Sequence, residues 1–291
     1  MLKHLILAAT ATLFAANIAA ADETRATGAQ VQIQDFGQIK VHAYAAPENM
    51  FAMTTYIIES ENELVLIDGQ MFAPLANDYR VYADSLNKQI NRVLLTHGHP
   101  DHYLGLVAFE DVPIYALPAT VKEVAETGEA TRVARREMMG DIIPDSVVVP
   151  NVEVKLGEEI IDGVTYEFSA LEGGEHEPML ITRLPQFGVI SVGDTAMNNI
   201  HLFLAGKPET WINALTGLDA DDAYDKVLPG HGLPGDQSMY VANIKYLTKA
   251  AGMLKTSKTG PEFKEAMVAA FPELGLVGAL DFFLPYLFPA K

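Results

Sequence analysis

The sequence predicts an α/β protein made of two β-then-α halves, and three observations carry that expectation. Short apolar or alternating runs recur at strand length, stretches of helical composition separate them, and glycine-bearing turns close several of the runs. Strand and helix alternate through residues 31–139, a β-rich stretch follows at 147–171, and a helical tail runs from Asp236 onward.

In order along the chain, residues 31–34 and 39–43 read as strands around a Phe36-Gly37 turn. Runs 54–59 and 64–67 flank Ser60-Glu61-Asn62, a hairpin signal, and the second ends in Asp68-Gly69. A helix is expected over 73–86 and a strand over 90–95. Pro100 pre-sets its backbone for a first helical turn, so Asp101 and His102 begin a short helix. Residues 112–116 form the next strand and 118–139 the next helix. Asp162-Gly163 marks a hairpin, runs 179–184 and 189–192 form another ending in Gly193-Asp194, and strand 226–228 leads into Pro229-Gly230-His231-Gly232. With no repeat and no low-complexity linker, residues 22–291 are expected to be a single domain with a C-terminal helical tail.

A chain of 291 residues with 49% hydrophobic content can bury a sizeable core. The formal charge of -18 excludes a nucleic-acid partner, whose phosphates draw affinity from clustered Lys and Arg. Lys3, the apolar run 5–20 and Ala19-Ala20-Ala21 read as a signal peptide over 1–21, which predicts an exported, periplasmic or secreted protein. That run is too short to span a bilayer, so no integral membrane association is expected. There is no cysteine, which removes thiolate as ligand and as nucleophile.

Residues 97–102 place His97, His99, Asp101 and His102 in a turn directly after the apolar run 93–95. Neutral imidazole and carboxylate are ligands for zinc and its first-row neighbours, and a turn leaving a strand can aim several of them at one point. His176, Asp194 and His231 each follow another strand in a glycine-containing turn. Strand ends of α/β proteins gather on one edge, so these side chains are expected to converge.

His-x-His-x-Asp-His at 97–102, Gly-x-His at 174–176, Gly-Asp at 193–194 and Pro-Gly-His-Gly at 229–232 together resemble the metallo-β-lactamase superfamily of hydrolases. The resemblance covers roughly residues 30–250. It implies a four-layer αββα sandwich of two similar halves, holding two divalent ions, zinc by default with manganese or iron compatible. His97, His99 and His176 would hold one ion, Asp101, His102 and His231 the other, and Asp194 would bridge. Asp68, in Leu-Ile-Asp-Gly, matches a position that hydrogen-bonds behind the ligand turn. Some members carry Cys at the bridging place; the Asp here is similar to the glyoxalase II, lactonase and phosphodiesterase branches.

The expected activity is therefore that of an exported dinuclear hydrolase on a small-molecule carboxylic ester or lactone, acyl-homoserine lactones included. Two ions sharing a water lower its pKa from about 15.7 toward about 7, giving a bridging hydroxide as nucleophile. Asp101 is expected to anchor the second ion and orient that hydroxide, a catalytic role. Competing readings are a glyoxalase II-like thioesterase, a weak β-lactamase, an iron-dependent oxygenase, and a metal-binding module whose site is structural. Tyr103 and His201 are candidate substrate contacts, and His42 reads as structural. The apolar segment 50–53 would favour an acyl or aromatic substrate, and the apolar tail 282–288 is expected in the core, at a homodimer contact or on a pocket wall.

Overall fold

The computed structural model describes residues 23–289, so the expected signal peptide lies outside the described residues. The first half runs β1 (Glu23–Thr24), β2 (Gln30–Asp35), β3 (Lys40–Ala45), β4 (Thr54–Glu59), β5 (Glu63–Ile67), α1 (Ala73–Ser85), β6 (Gln89–Leu94), α2 (Pro100–Tyr103), β7 (Ile114–Ala116), α3 (Pro118–Met139) and β8 (Val152–Glu153). Its strands form one eight-stranded sheet in sequence order. Pairing is antiparallel from β1 to β5 and parallel from β5 to β8. Parallel neighbours need a crossover, and α1 supplies the one between β5 and β6.

The second half runs β9 (Gly157–Ile161), β10 (Val164–Leu171), β11 (Met179–Leu184), β12 (Val189–Met197), α4 (Pro208–Asp219), β13 (Lys226–His231), α5 (Ser238–Thr256), α6 (Gly260–Ala270) and α7 (Ala279–Leu287). Its five-stranded sheet has the order β13-β12-β11-β10-β9, antiparallel except for the β12–β13 pair that α4 connects.

Three apolar layers make this the expected αββα sandwich. Between the sheets, Val41, Tyr56, Ile58, Val65 and Leu94 pack against Val164, Tyr166, Phe168, Leu180 and Leu228. Behind the first sheet, Ile57, Leu66 and Val93 meet Leu75 and Tyr79 of α1 and Val124 of α3. Behind the second, Ile181, Ile190 and Val192 meet Trp211 of α4, Leu247 of α5 and Phe263 of α6. Each such aliphatic or aromatic side chain, fully buried, contributes about 1.5–3 kcal/mol. β10 alternates buried and half-buried residues, while β12 is buried throughout because helices and the other sheet cover both its faces.

Two strand ends differ from the sequence reading. β12 does not stop at Val192 but continues through Asp194 to Met197, with register shifts at Gly193. Two side chains hold the extension: Trp211 Nε1 donates to the Thr195 carbonyl at 2.7 Å, and Asn243 of α5 bonds both N and O of Met197 at 2.9 Å. β13 likewise runs through His231, and Asn198 N donates to its carbonyl. Among the described residues no helix is long and apolar enough to cross a membrane.

Candidate metal centre

β5, β6, β12 and β13 run in the same direction, so their C-terminal ends share one edge of the sandwich. There Asp68, the 97–102 turn, Asp194 and His231 meet. The donor atoms fall into two groups, each within 4.8 Å: His97, His99, Glu175 and Asp194, and next to them Asp101, His102 and His231. Asp194 lies between them. Its Oδ2 is 3.7 Å from His97 Nε2 and 3.3 Å from His231 Nε2, and its Oδ1 is 3.4 Å from His102 Nε2. Asp101 Oδ2 is 3.2 Å from His231 Nε2.

Each inward nitrogen is aimed by a partner on the ring's other side. His97 Nδ1 meets Thr96 Oγ1 at 2.9 Å, His102 Nδ1 meets Asp68 Oδ2 at 2.8 Å, and His231 Nδ1 donates to the Phe51 carbonyl at 2.8 Å. Such bonds fix tautomer and ring direction, leaving Nε2 as the free donor. Asp68 also accepts from Thr96 N at 2.8 Å, and its own backbone sits in the left-handed region at φ 63°, a strain of the kind held at functional sites.

The residues fit a metal. His97 Nε2, His102 Nε2, His176 Nδ1, His231 Nε2, Glu175 Oε2 and Asp194 Oδ1 are all buried and lack any hydrogen-bond partner. Buried polar atoms are nearly always paired, and six orphans gathered together are what a cation site looks like from the protein side. Close packing of the backbone serves the same end: a Cβ on Gly230 would collide with the Asp194 carboxylate.

Electrostatics at the centre are opposed within a few ångströms. Burial, with His102 beside it, pushes His97 well below the usual imidazole value. Burial is the largest influence on His102 and His231 and works against a charge on either, but Asp194 and Asp101 together, joined by Asp68 at His102, outweigh it, lifting His231 to about 10. Asp194 itself resists burial and is held well below the carboxylate range by His231 and His102.

The expected ligand residues lie together at this edge. The His176 ring is 4.6 Å from that of His99 and 5.3 Å from that of His97; its Nε2 meets Glu123 of α3 at 3.1 Å, and its Nδ1 is buried without a partner. Glu175 is a further donor at this place, with Oε2 3.1 Å from His99 Nδ1 and 3.9 Å from His97 Nε2. In Gly174-Glu175-His176-Glu177 three possible donors stand in a row, and matching on imidazole alone passes over the carboxylate that follows the glycine directly.

Tyr103 and His201 are placed inside the packing rather than on a rim. Tyr103 is 1% exposed, with its ring against Gly128 of α3. His201 is fully buried and its Nδ1 meets Tyr246 OH of α5 at 3.0 Å. His42 is bonded on both sides, to Tyr82 and Glu59.

A four-layer αββα sandwich with imidazoles and carboxylates gathered on one sheet edge defines the class of metal-dependent hydrolases built on this fold. The chain belongs to the metallo-beta-lactamase superfamily, which it matches over residues 51–231. Among solved structures it is similar to a metallo-beta-lactamase from Pontibacter korlensis, at 18% identity and TM-score 0.56 over 79% of this chain and 99% of that one. It is similar also to the metallo-beta-lactamase FIM-1 from Pseudomonas aeruginosa in a mono-zinc form, at 14% identity and TM-score 0.58 over 76% and 96%. A third, the stereoselective inverting sec-alkylsulfatase Pisa1 from Pseudomonas sp., aligns at 20% identity and TM-score 0.58 over 80% of this chain but 44% of its own. At these identities the likeness is one of fold. No curated protein matches the chain.

Proposed function

We propose that the protein is an exported, dinuclear metal-dependent hydrolase of a carboxylic ester or lactone, acyl-homoserine lactones among them, with zinc as the first choice of ion. The observation that carries this reading is the pair of adjoining donor groups meeting at Asp194, built from nitrogen and oxygen alone. When bound, divalent ions supply an activated water at neutral pH and a Lewis acid for the carbonyl oxygen. His97, His99, Glu175, Asp101, His102 and His231 would hold them, with Asp194 shared and His176 offering its unpartnered Nδ1.

The chain's own residues do the rest. Asp68, Thr96 and the Phe51 carbonyl hold three imidazoles in one tautomer, so the centre needs little rearrangement during turnover. His97, His102, His231 and Asp194 are sealed from solvent, whereas the side chains of His99 and Asp101 are 27% and 17% exposed, so substrate enters on their side. Asp101 is thus the buried group's contact with the mouth, placed to accept a hydrogen bond from an incoming water or alcohol. Seven donor residues exceed the four that close a structural zinc site, which favours turnover over a purely structural role.

The test is chelation and zinc reconstitution against a panel: lactones of increasing acyl length, simple esters, a thioester, nitrocefin and an alkyl sulfate. Lactone or ester hydrolysis should vanish and return with zinc. Turnover indifferent to chelator ends the reading, and a panel led by the thioester, nitrocefin or sulfate moves it to that substrate class. N-terminal sequencing of protein recovered outside the cytoplasm should begin near Asp22; retention of residues 1–21 removes the exported part.

A further inference from the structure

Beside His231 the metal centre borders on a wall of phenylalanine. The Phe203 ring lies 4.8 Å from the His231 ring, and Phe51, whose carbonyl accepts from His231 Nδ1, lies 6.3 Å from Phe203. Phe282 of α7 packs edge-on to Phe51 at 5.2 Å, and both Phe282 and Phe283 are 6.2 Å from Phe203. Phe51, Phe282 and Phe283 are only partly buried, so part of each stays accessible, and Phe51 stacks on Phe72 at 5.7 Å.

Three separate segments are stitched together to make this wall. Leu276 N, leading into α7, donates to Glu48 Oε1 at 2.5 Å, just ahead of Phe51. His201 N donates to the Gly275 carbonyl at 2.9 Å and Gly275 N to Asn199 at 3.0 Å, just ahead of Phe203. Phe51 and Ala52 both sit at positive φ, 71° and 50°, a costly backbone for non-glycine residues that is kept where the surroundings enforce it. The only charge on α7, Asp281, is bound to Lys264 of α6 at 2.6 Å and contributes none to the wall.

A surface continuous with His231 is reached by a molecule whose other end lies at the metal centre, and an uncharged aromatic wall accepts an uncharged apolar group. We propose that Phe51, Phe203, Phe282 and Phe283 bind the hydrocarbon chain of the substrate, making this a site selective for medium-length acyl groups over acetyl. This deepens the ester or lactone reading and rests on it for the turnover arm of the test. Each buried methylene contributes roughly four-fold in affinity.

Two readouts on the zinc-loaded full chain separate the two ideas: calorimetric binding of decanoate against acetate, and kcat/KM across acetyl to decanoyl p-nitrophenyl esters. Decanoate should bind at least 100-fold more tightly than acetate. Phe282→Ala and Phe283→Ala should each cut that preference about ten-fold, with acetate binding and zinc content unchanged, and Phe282→Leu should restore much of it. No decanoate preference in the wild type, or an unaltered preference in both alanine variants, overturns the wall. Decanoate selectivity without any ester turnover keeps the wall and removes the hydrolase reading.

Discussion

Asp68 sits in a strained backbone conformation at the end of β5 and holds Thr96 and His102 with one carboxylate. Its contribution is to direct His102 Nε2 inward, and an amide can offer His102 only a poorer partner. We predict that Asp68→Asn lowers affinity for the ion at His102 by about 10–100-fold, measured by competition with a chromophoric chelator. Glu175 and His176 extend the test. With Glu175 Oε2 inside the donor group and His176 Nδ1 buried without a partner beside it, Glu175→Gln and His176→Gln should each reduce zinc content per chain. A variant that keeps the wild-type zinc content in elemental analysis takes its residue out of the ligand set. At this scale the sequence is informative in proportion to how local the chemistry is. His97, His99, Asp101 and His102 announce themselves because one turn holds them all, but the contact that His176 Nε2 makes with Glu123 depends on how α3 packs, across 53 positions. The burial of Tyr103 and His201 was not legible for the same reason: nearness in sequence to a ligand says nothing about the helices, α3 and α5, that cover them.

Among elements, the hairpin turns were the most legible, since Asp162-Gly163 joins β9 and β10 where two-residue turn chemistry demands. The turn does more than reverse the chain. Asp162 accepts from Ser60 Oγ at 2.7 Å, Asn62 N at 2.6 Å, Asn62 Nδ2 at 2.9 Å and Glu63 N at 3.2 Å, tying the second sheet to the β4–β5 turn of the first. The side-chain and backbone donors of Asn62, then Ser60, draw its carboxyl from the ordinary 3.8 to about 2. A depressed folded value means that the stabilisation is complete above about pH 4 and is lost as pH falls through about 2. Asp162→Ala should therefore lower Tm by a few degrees at pH 7, with the gap to wild type closing between pH 4 and pH 2 in thermal melts. A gap independent of pH would assign the loss to the turn backbone instead. The length of β12 was not legible, because what prolongs it past Val192 is Asn243 and Trp211, supplied by helices far along the chain.

For the whole molecule, the donors come from both halves: His97 to His102 from the first sheet's edge, and Glu175, Asp194 and His231 from the second's. A cation that binds only the folded arrangement stabilises it by about 4 kcal/mol at 1,000 times its dissociation constant. For a chain of this size zinc should raise Tm by about 10 °C over the chelated protein, read by calorimetry. An α/β layering in two halves was foreseeable from the alternation of strands and helices, and the four-layer order from the family resemblance, whereas the packing of α7 onto Phe51 and Phe203 was not, since apolar tails pack wherever a complementary surface exists.

Asp162 and the ion pair between Arg92 and Glu159, at 2.8 Å, fasten the two sheets at the end opposite the donor groups. The sandwich is then bound like a book, with a permanent spine on one side and a removable clasp of cations on the other. Stripped of its ions, it should splay from the clasp, and amide hydrogen exchange should quicken at residues 94–97, 194–197 and 229–231 well before it does at 159–164.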